Sequence, residues 1–167
     1  MHLLVVRHAR AEDRGTFAAT GQADSKRPLT GKGIRRMKKA ARGLRSLVPS
    51  IDLLVSSPLR RAVETARIIA DVYDGIRCIE RDELAPGAAP EQLIDWLAAQ
   101  REIGTACIVG HEPDLSEMLT VLLADQSEQP AKLKKGSVSL VRFEGPLAAS
   151  GGTLQWYHSA GELGSRA

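Results

Sequence analysis

The stretch Leu3-Leu4-Val5-Val6-Arg7-His8, near the start of the chain, is a short apolar run that ends in two polar residues. A continuous apolar run of this length predicts a strand that is buried on both faces, as in a parallel sheet. Leu53 to Ser56 and Thr105 to Val109 follow the same pattern. Helical patterns alternate with these runs along the chain, which predicts an α/β domain with a mostly parallel central sheet.

The length and composition fit a single domain, which we assign to residues 1–167. Hydrophobic residues make up 43% of the chain and charged residues 26%, as in ordinary globular proteins. No run approaches the ~20 apolar residues of a membrane span, and the N-terminal run is too short for a secretion signal. We therefore expect a cytoplasmic protein that makes no membrane contact. Cys78 and Cys107 are expected to be reduced core residues, and no metal site or cofactor is predicted.

Local patterns place the remaining elements. Thr30 is the predicted cap of a helix over residues 30–48, and Pro58 opens a second helix that ends near Val72. The polar segment 9–28 is predicted as a long loop, and Gly161 to Ala167 as a frayed end. The other predicted elements are strands at Ile76–Ile79, Ser137–Phe143 and Thr153–Tyr157, a helix around Leu93–Leu97, and a helix that starts at Pro113-Asp114.

Positive charge is concentrated in one part of the chain. The net charge is +3, yet the segment between Ser25 and Ile51 holds nine basic residues and no acidic one, so the rest carries −6. A local excess of this kind indicates that one face meets an anionic partner. A solvated helix face would give the same pattern, and the sequence leaves both interpretations open.

Three polar segments follow predicted strands directly: Arg7-His8, the run from Ser56 to Arg61, and Gly110-His111. Ligands of open α/β sheets bind at the carboxyl ends of the strands, so these segments are expected to meet. Arginine presents a fork of donors that matches phosphate oxygens, and a neutral imidazole can act as a covalent nucleophile. Taken one at a time, each residue could instead be an ordinary polar side chain.

Four blocks of the chain resemble the histidine phosphatase superfamily, specifically its short SixA-type phosphohistidine phosphatase branch. Residues 4–9 are similar to the segment around the family's RHG signature, with Ala9 in place of glycine. Residues 27–33 resemble the RPLT segment of the branch, residues 56–66 the SSPLxRAxQTA block, and residues 109–113 the GHEP block. The blocks occur in the family's order, and the resemblance extends over nearly the whole chain.

The resemblance implies a fold and a set of roles. The implied fold is a three-layer α/β/α sandwich, similar to phosphoglycerate mutase. His8 would be phosphorylated, and water would then release the phosphate. Arg7, Arg61 and His111 would bind the phosphoryl group without a metal or cofactor. The implied partner is a phosphorylated protein, by analogy a histidine phosphotransfer domain, or a small phosphorylated molecule.

One departure from the family pattern concerns the proton donor. Many relatives carry a glutamate after the third strand, where Pro86 stands here, and Glu83 is the nearest carboxyl group. A missing acid favours phosphohistidine, because its leaving nitrogen can be protonated before cleavage. A phosphatase of small phosphate esters is the alternative, and it predicts an essential Glu83.

An alternative from another class is a basic nucleic-acid-binding module, suggested by the sequence pI of 9.1. No aromatic platform accompanies the basic residues, so no nucleic-acid partner is predicted. A catalytically silent protein that only binds phosphorylated partners is a further alternative, and no feature of the sequence supports it.

Overall fold

The computed structural model describes residues 1–100, 102–125, 127 and 129–167. Each strand of its sheet lies within two residues of a strand that the sequence predicts. The six strands are β1 (His2–Arg7), β2 (Leu53–Ser56), β3 (Cys78–Glu80), β4 (Thr105–Gly110), β5 (Val138–Phe143) and β6 (Gly152–His158).

The helices cover both faces of this sheet. They are α1 (Arg14–Ala18), α2 (Gly31–Leu47), α3 (Arg60–Val72), α4 (Pro90–Ala98), α5 (Asp114–Leu122) and α6 (Ala160–Gly164). No helix within the described ranges is long and apolar enough to cross a membrane.

The strand order is β3-β2-β4-β1-β5-β6. The first four strands run parallel to one another, while β5 and β6 are antiparallel to their neighbours. The predicted α/β fold with a mostly parallel sheet is therefore confirmed. Because β1, β2 and β4 share one direction, their carboxyl ends lie at the same edge.

Side chains alternate between the two faces of the sheet and form two apolar layers. On one face, Leu4 and Val6 belong to a cluster with residues of α2, α3 and α6. On the other face, Leu3 and Val5 belong to a cluster with residues of α4 and α5. The result is the three-layer sandwich, which explains why β1 is apolar at four consecutive positions, Leu3 to Val6.

The start of α2 is fixed by local chemistry and by a close backbone approach. Thr30 caps the helix as predicted, since its hydroxyl accepts a hydrogen bond from the Gly33 amide at 3.0 Å. A Cβ at Gly33 would collide with the Arg10 carbonyl. Glycine at this position therefore lets α2 pack directly against the segment that follows His8.

Two predictions about irregular segments are wrong. The segment 9–28 contains α1 and a 3-10 turn, Asp24–Lys26, instead of continuous loop. The chain end is also not frayed, because Ser159 and Glu162 form a capping box that starts α6. Leu163 of this helix is fully buried, and its packing on α2 overrides the weak helix tendency of a segment with two glycines.

Both cysteines are free, as expected. Leu54 of β2 pairs with Cys78 on one side and with Cys107 on the other. Two inter-strand spacings separate the cysteine Cα atoms by roughly 10 Å, beyond the ~7 Å limit for a disulfide.

Candidate active site

The four predicted site residues lie around one pocket at the carboxyl edge of the sheet. Arg7 pairs with Gly110 in the β1–β4 register, and Ser56 pairs with Val109 in the β2–β4 register, so the polar segments that follow these strands come together. The pocket has a volume of about 400 Å³, and its lining includes Arg7, His8, Arg61 and His111.

His8 is held in one tautomer by the backbone. Its Nδ1 lies 2.7 Å from the Ala9 carbonyl oxygen, which can only accept a hydrogen bond. Nδ1 therefore carries the proton, and Nε2 keeps a free electron pair. The side chain is only 5% exposed, and this burial is the main cause that lowers the pKa of His8 to about 3. The imidazole is consequently neutral at physiological pH.

His111 stands next to His8, with ring centres 5.1 Å apart. Its Nε2 lies 2.7 Å from the Ser57 hydroxyl oxygen. When this hydroxyl donates, the ring proton is on Nδ1, a buried atom with no hydrogen-bond partner among the described residues. Burial and the nearby positive charge of Arg61 lower the pKa of His111 to about 4. His111 is thus a neutral ring, and in this tautomer its Nδ1–H group is the one that remains to donate.

The two arginines are fixed at one end and free at the other. The Arg7 Nη1 group donates to the Leu133 carbonyl oxygen at 2.6 Å, and Arg61 Nη1 donates to the Asp24 carboxylate at 3.0 Å. The Nε atom of each arginine is buried, with no partner in the described part of the chain. Burial lowers the pKa of both guanidinium groups, yet arginine stays charged in proteins. Arg7, Arg61 and His111 all line the pocket, and each has one buried nitrogen without a partner in the described part of the chain.

Sequence reasoning missed the role of Asp24. Its carboxylate accepts from Arg27 Nε at 2.8 Å while it pairs with Arg61, and it lies 3.9 Å from Arg14 Nε. Burial pushes the pKa of Asp24 upward, but the Arg27 hydrogen bond and the positive charge of Arg61 outweigh it, and the pKa is lowered. Asp24 lies 37 residues before Arg61, so no local pattern could have indicated this pair.

The neighbouring arginines Arg60 and Arg61 lie in different surroundings. Arg60 is exposed and pairs with Glu64 at 2.7 Å on the surface of α3, whereas Arg61 is buried against the pocket. Thr65, one turn after Arg61, accepts a hydrogen bond from the Ala9 amide at 3.0 Å. This contact ties the segment after the proposed nucleophile to α3.

The methyl group of Ala9 causes no crowding. Ala9 is 3% exposed and belongs to the apolar cluster between the sheet and α2. The substitution of alanine for the glycine of the family signature is therefore accommodated by the core.

The carboxyl groups near the pocket are arranged differently from the sequence expectation. Glu83 forms an ion pair with Arg81 and lines a separate depression with Glu80 and Asp82. Pro86 lines the His8 pocket, and so does Glu112. Burial raises the pKa of Glu112, an effect that hydrogen bonds from Ser116 partly offset.

No group of three or more histidine, cysteine, aspartate or glutamate side chains within the described ranges is arranged to hold a metal ion.

The fold and the pocket together place a neutral histidine beside two buried arginines at the carboxyl edge of a parallel sheet. A model of the histidine phosphatase superfamily (branch 1) matches residues 3–85. The chain belongs to this superfamily, and it is a phosphatase. His111 lies beyond the matched residues, so its place in the site rests on geometry.

Individual relatives extend the similarity to most of the chain. An uncharacterised protein of a Picosynechococcus strain is 34% identical over 140 residues, which cover 83% of this chain and 82% of the relative. The structure of the protein histidine phosphatase SixA in complex with tungstate has a TM-score of 0.83 at 22% identity, covering 98% of this chain and 99% of that one. A protein assigned as SixA from Nakamurella multipartitia has a TM-score of 0.79 at 25% identity, covering 95% of each chain.

Proposed function

We propose that this enzyme is a phosphohistidine phosphatase that acts on phosphohistidine of a protein, without a metal, through a phospho-His8 intermediate. One observation carries the proposal. His8, with its free Nε2 electron pair, lines a pocket together with Arg7, Arg61 and His111, and one buried nitrogen of each of these three side chains (Nε, Nε and Nδ1) has no partner among the described residues. A phosphoryl group would satisfy these donors and present its phosphorus atom to His8.

In the first step, His8 Nε2 attacks the phosphorus atom of the substrate. A P–Nε2 bond forms as the P–N bond to the substrate histidine breaks, and the leaving ring nitrogen takes the electron pair. If the other nitrogen of the substrate ring is already protonated, the leaving group is neutral imidazole. Arg7, Arg61 and the His111 N–H group stabilise the charge on the equatorial phosphoryl oxygens.

In the second step, water attacks the phosphorus atom of phospho-His8. The P–Nε2 bond breaks, inorganic phosphate leaves, and the proton released by water passes to solvent or phosphate. His8 returns to its neutral form with Nδ1–H still bonded to the Ala9 carbonyl. Because the same donors hold the phosphoryl group in both steps, the site needs no rearrangement between them.

The leaving-group chemistry distinguishes phosphohistidine from an ester. Pro86 lines the pocket and has no proton to donate, while Glu83 is held by Arg81 at a separate depression. An alkyl oxygen needs a general acid, which typically supplies about 10²–10⁴-fold in rate. A substrate imidazole whose other nitrogen is already protonated leaves without a general acid.

The two free cysteines fit a reducing compartment, and we place the enzyme in the cytoplasm as part of the proposal.

The test compares the wild type, His8→Ala and His158→Ala on a phosphohistidine peptide, phosphoramidate and para-nitrophenyl phosphate. His158 stacks on Trp156 outside the pocket and serves as the matched histidine control. We expect phosphate release from the peptide to vanish only in His8→Ala. Rapid quenching and mass spectrometry should find a phosphoryl group on His8 of the wild type. Turnover that persists in His8→Ala would refute the mechanism.

A phosphatase of small phosphate esters is the second candidate, and Glu112 is the observation that favours it. This carboxyl group lines the His8 pocket, and burial raises its pKa, as a proton donor requires. The ester candidate predicts that Glu112→Gln abolishes ester hydrolysis and that the wild type prefers the ester over phosphoramidate. The phosphohistidine proposal predicts the opposite preference.

A further inference from the structure

A second cavity adjoins the His8 pocket and contains none of its catalytic histidines. It has a volume of about 540 Å³ and lies between α2, the segment after His8, and the segment 132–136 that leads into β5. The two cavities share Arg7, Arg10 and Lys135 in their linings. A ligand whose phosphoryl group is bound at His8 can therefore extend into this second cavity.

Half of the residues that line the second cavity are cationic. Seven of the fourteen are lysine or arginine, and none is acidic. Lys32 and Arg36 come from one turn of α2, and Lys132, Lys134 and Lys135 come from the opposite wall. The basic segment of the sequence thus faces a second basic segment that lies about a hundred residues further along the chain.

The seven cavity cations differ from four surface arginines that form ion pairs, and they share their unpaired state with Lys38 and Arg42, which form no ion pair with a described residue. Arg45, Arg60, Arg81 and Arg142 each form an ion pair with a nearby carboxylate. None of the seven cavity cations forms an ion pair with any residue in the described ranges. Seven positive charges around one concave surface, with no carboxylate among its fourteen lining residues, produce a strong positive field, which favours an anionic ligand.

Electrostatics within the cavity agree with this picture. The pKa of Lys135 is lowered by burial and by the positive charges of Arg7 and Arg10. The carboxylates that act on Lys132 and Lys134 are Glu112 and Glu162, and neither lines the cavity. Lys135 therefore lies in a positive local field from Arg7, Arg10 and Arg27, which Asp13 only partly offsets.

The floor of the cavity is apolar, unlike its rim. Met37 and Leu133 are buried to within 1% exposure, and Ala160 and Ala9 complete the floor. These side chains offer no hydrogen-bond partner, so an ion placed on the floor would lose contacts with water, whereas an aliphatic side chain needs no partner there. No aromatic residue lines the cavity, so bases of a nucleic acid would find no stacking platform.

We propose that the second cavity docks an acidic segment of the phosphoprotein substrate, with an aliphatic side chain on the apolar floor and carboxylates on the cationic rim. The inference rests on the proposed function, because it places the phosphohistidine of that same protein at His8. It assigns a role to Lys32 and Arg36 within the basic helix, and none to the residues on its other faces.

The test uses charge reversal at matched positions of α2. The first variant, Lys32→Glu/Arg36→Glu, changes the cavity rim. The control, Lys38→Glu/Arg42→Glu, has the same spacing and the same change in net charge, and its residues are exposed and lie outside the cavity. Thermal unfolding checks that both variants fold.

Binding and turnover are measured separately with two peptides of equal length. Each contains one histidine and a leucine, and one carries glutamates where the other carries glutamines. Fluorescence anisotropy with the unphosphorylated peptides measures docking without chemistry. Phosphate release from the phosphorylated peptides gives the ratio of kcat/KM for the acidic and the neutral peptide. We expect the wild type and the control to prefer the acidic peptide at least about tenfold in both measurements.

In Lys32→Glu/Arg36→Glu, the ratio of kcat/KM for the acidic to the neutral peptide, and the corresponding ratio of affinities, should fall to about one. Equal loss in both variants would attribute binding to net charge and overturn the inference, as would a wild type without preference. Tighter, salt-sensitive binding of a single-stranded oligonucleotide than of the acidic peptide would overturn it in favour of another partner. A wild type that binds the acidic peptide but releases no phosphate from phosphoramidate would refute the proposed function instead.

Discussion

His8 should remain uncharged well below the pH at which an ordinary histidine gains its proton. Burial is the largest influence on its pKa and lowers it, while the hydrogen bond to the Ala9 carbonyl opposes this effect. The positive charges of Arg61 and Arg7 then lower the pKa further, to about 3. Acidification from neutral pH to about pH 5 is therefore the perturbation that separates this site from an exposed imidazole.

The size of the effect follows from the two pKa values. At pH 5, a histidine with the ordinary pKa of 6.5 is only about 3% neutral. With a pKa of about 3, His8 is about 99% neutral at that pH, and His111, with a pKa of about 4, is about 90% neutral. The population of His8 with a free Nε2 electron pair thus differs about thirtyfold between the two cases.

Nuclear magnetic resonance of the histidine ring nitrogens measures this population directly. His8→Ala identifies the His8 signal, and protein unfolded in guanidinium chloride supplies the ordinary titration. We expect the His8 nitrogens of the folded protein to keep their neutral shifts down to pH 5. A midpoint near 6.5 in the folded protein would refute the argument that burial controls this histidine.

The same pKa values make the stability of the fold depend on pH. Between pH 6.5 and the lowered folded-state pKa values, the unfolded chain binds more protons at His8 and His111 than the folded protein does. The free energy of unfolding is therefore unaffected by these two rings above pH 6.5, and it decreases as the pH falls below that value. By pH 5, each of the two histidines should have lowered the free energy of unfolding by about 2 kcal/mol relative to neutral pH. Urea unfolding at both pH values should show a shallower loss in His8→Ala, and equal losses would contradict the reasoning.

Three further substitutions test separate parts of the structure. Glu83→Gln should leave kcat/KM for phosphoramidate within about threefold, because this carboxylate lies outside the His8 pocket. Asp24→Asn removes the charge that holds Arg61, so steady-state kinetics should show a KM raised several-fold. Because the ion pair is partly exposed, the free energy of unfolding measured in urea should fall by only about 1 kcal/mol. Gly43→Ala should cost about 2 kcal/mol, because the new methyl group meets the Leu163 carbonyl, and hydrogen exchange in α6 should accelerate.

Matched controls are available for two of these changes. Asp74→Asn breaks an ion pair with Arg45 that lies away from the pocket, and it should leave KM unchanged. Gly31→Ala adds a methyl group on the same helix as Gly43, where it would meet only the end of Arg35, so stability should change little. Similar effects of each variant and its control would show that the specific contacts do not matter.

Much of the fold could be predicted from the sequence because the deciding information is local. Leu53–Ser56 is a strand with the predicted bounds, and Thr30 caps its helix, since both depend on neighbouring residues alone. The convergence of Arg7, His8, Arg61 and His111 also followed from the sequence. In a parallel sheet, residues that directly follow the strands share one edge, whatever the length of the chain between them.

Tertiary structure decided the features that join segments without a common pattern. The pair between Asp24 and Arg61 depends on how the segment after His8 folds back over the sheet. The second cavity exists only because α2 packs beside the segment that precedes β5, which places Lys32 opposite Lys135. The last helix forms because Leu163 finds a buried position over Gly43. Charge, hydrogen bonding and close packing act over a few ångströms in space, so residues far apart in sequence acquire these roles only once the chain has folded.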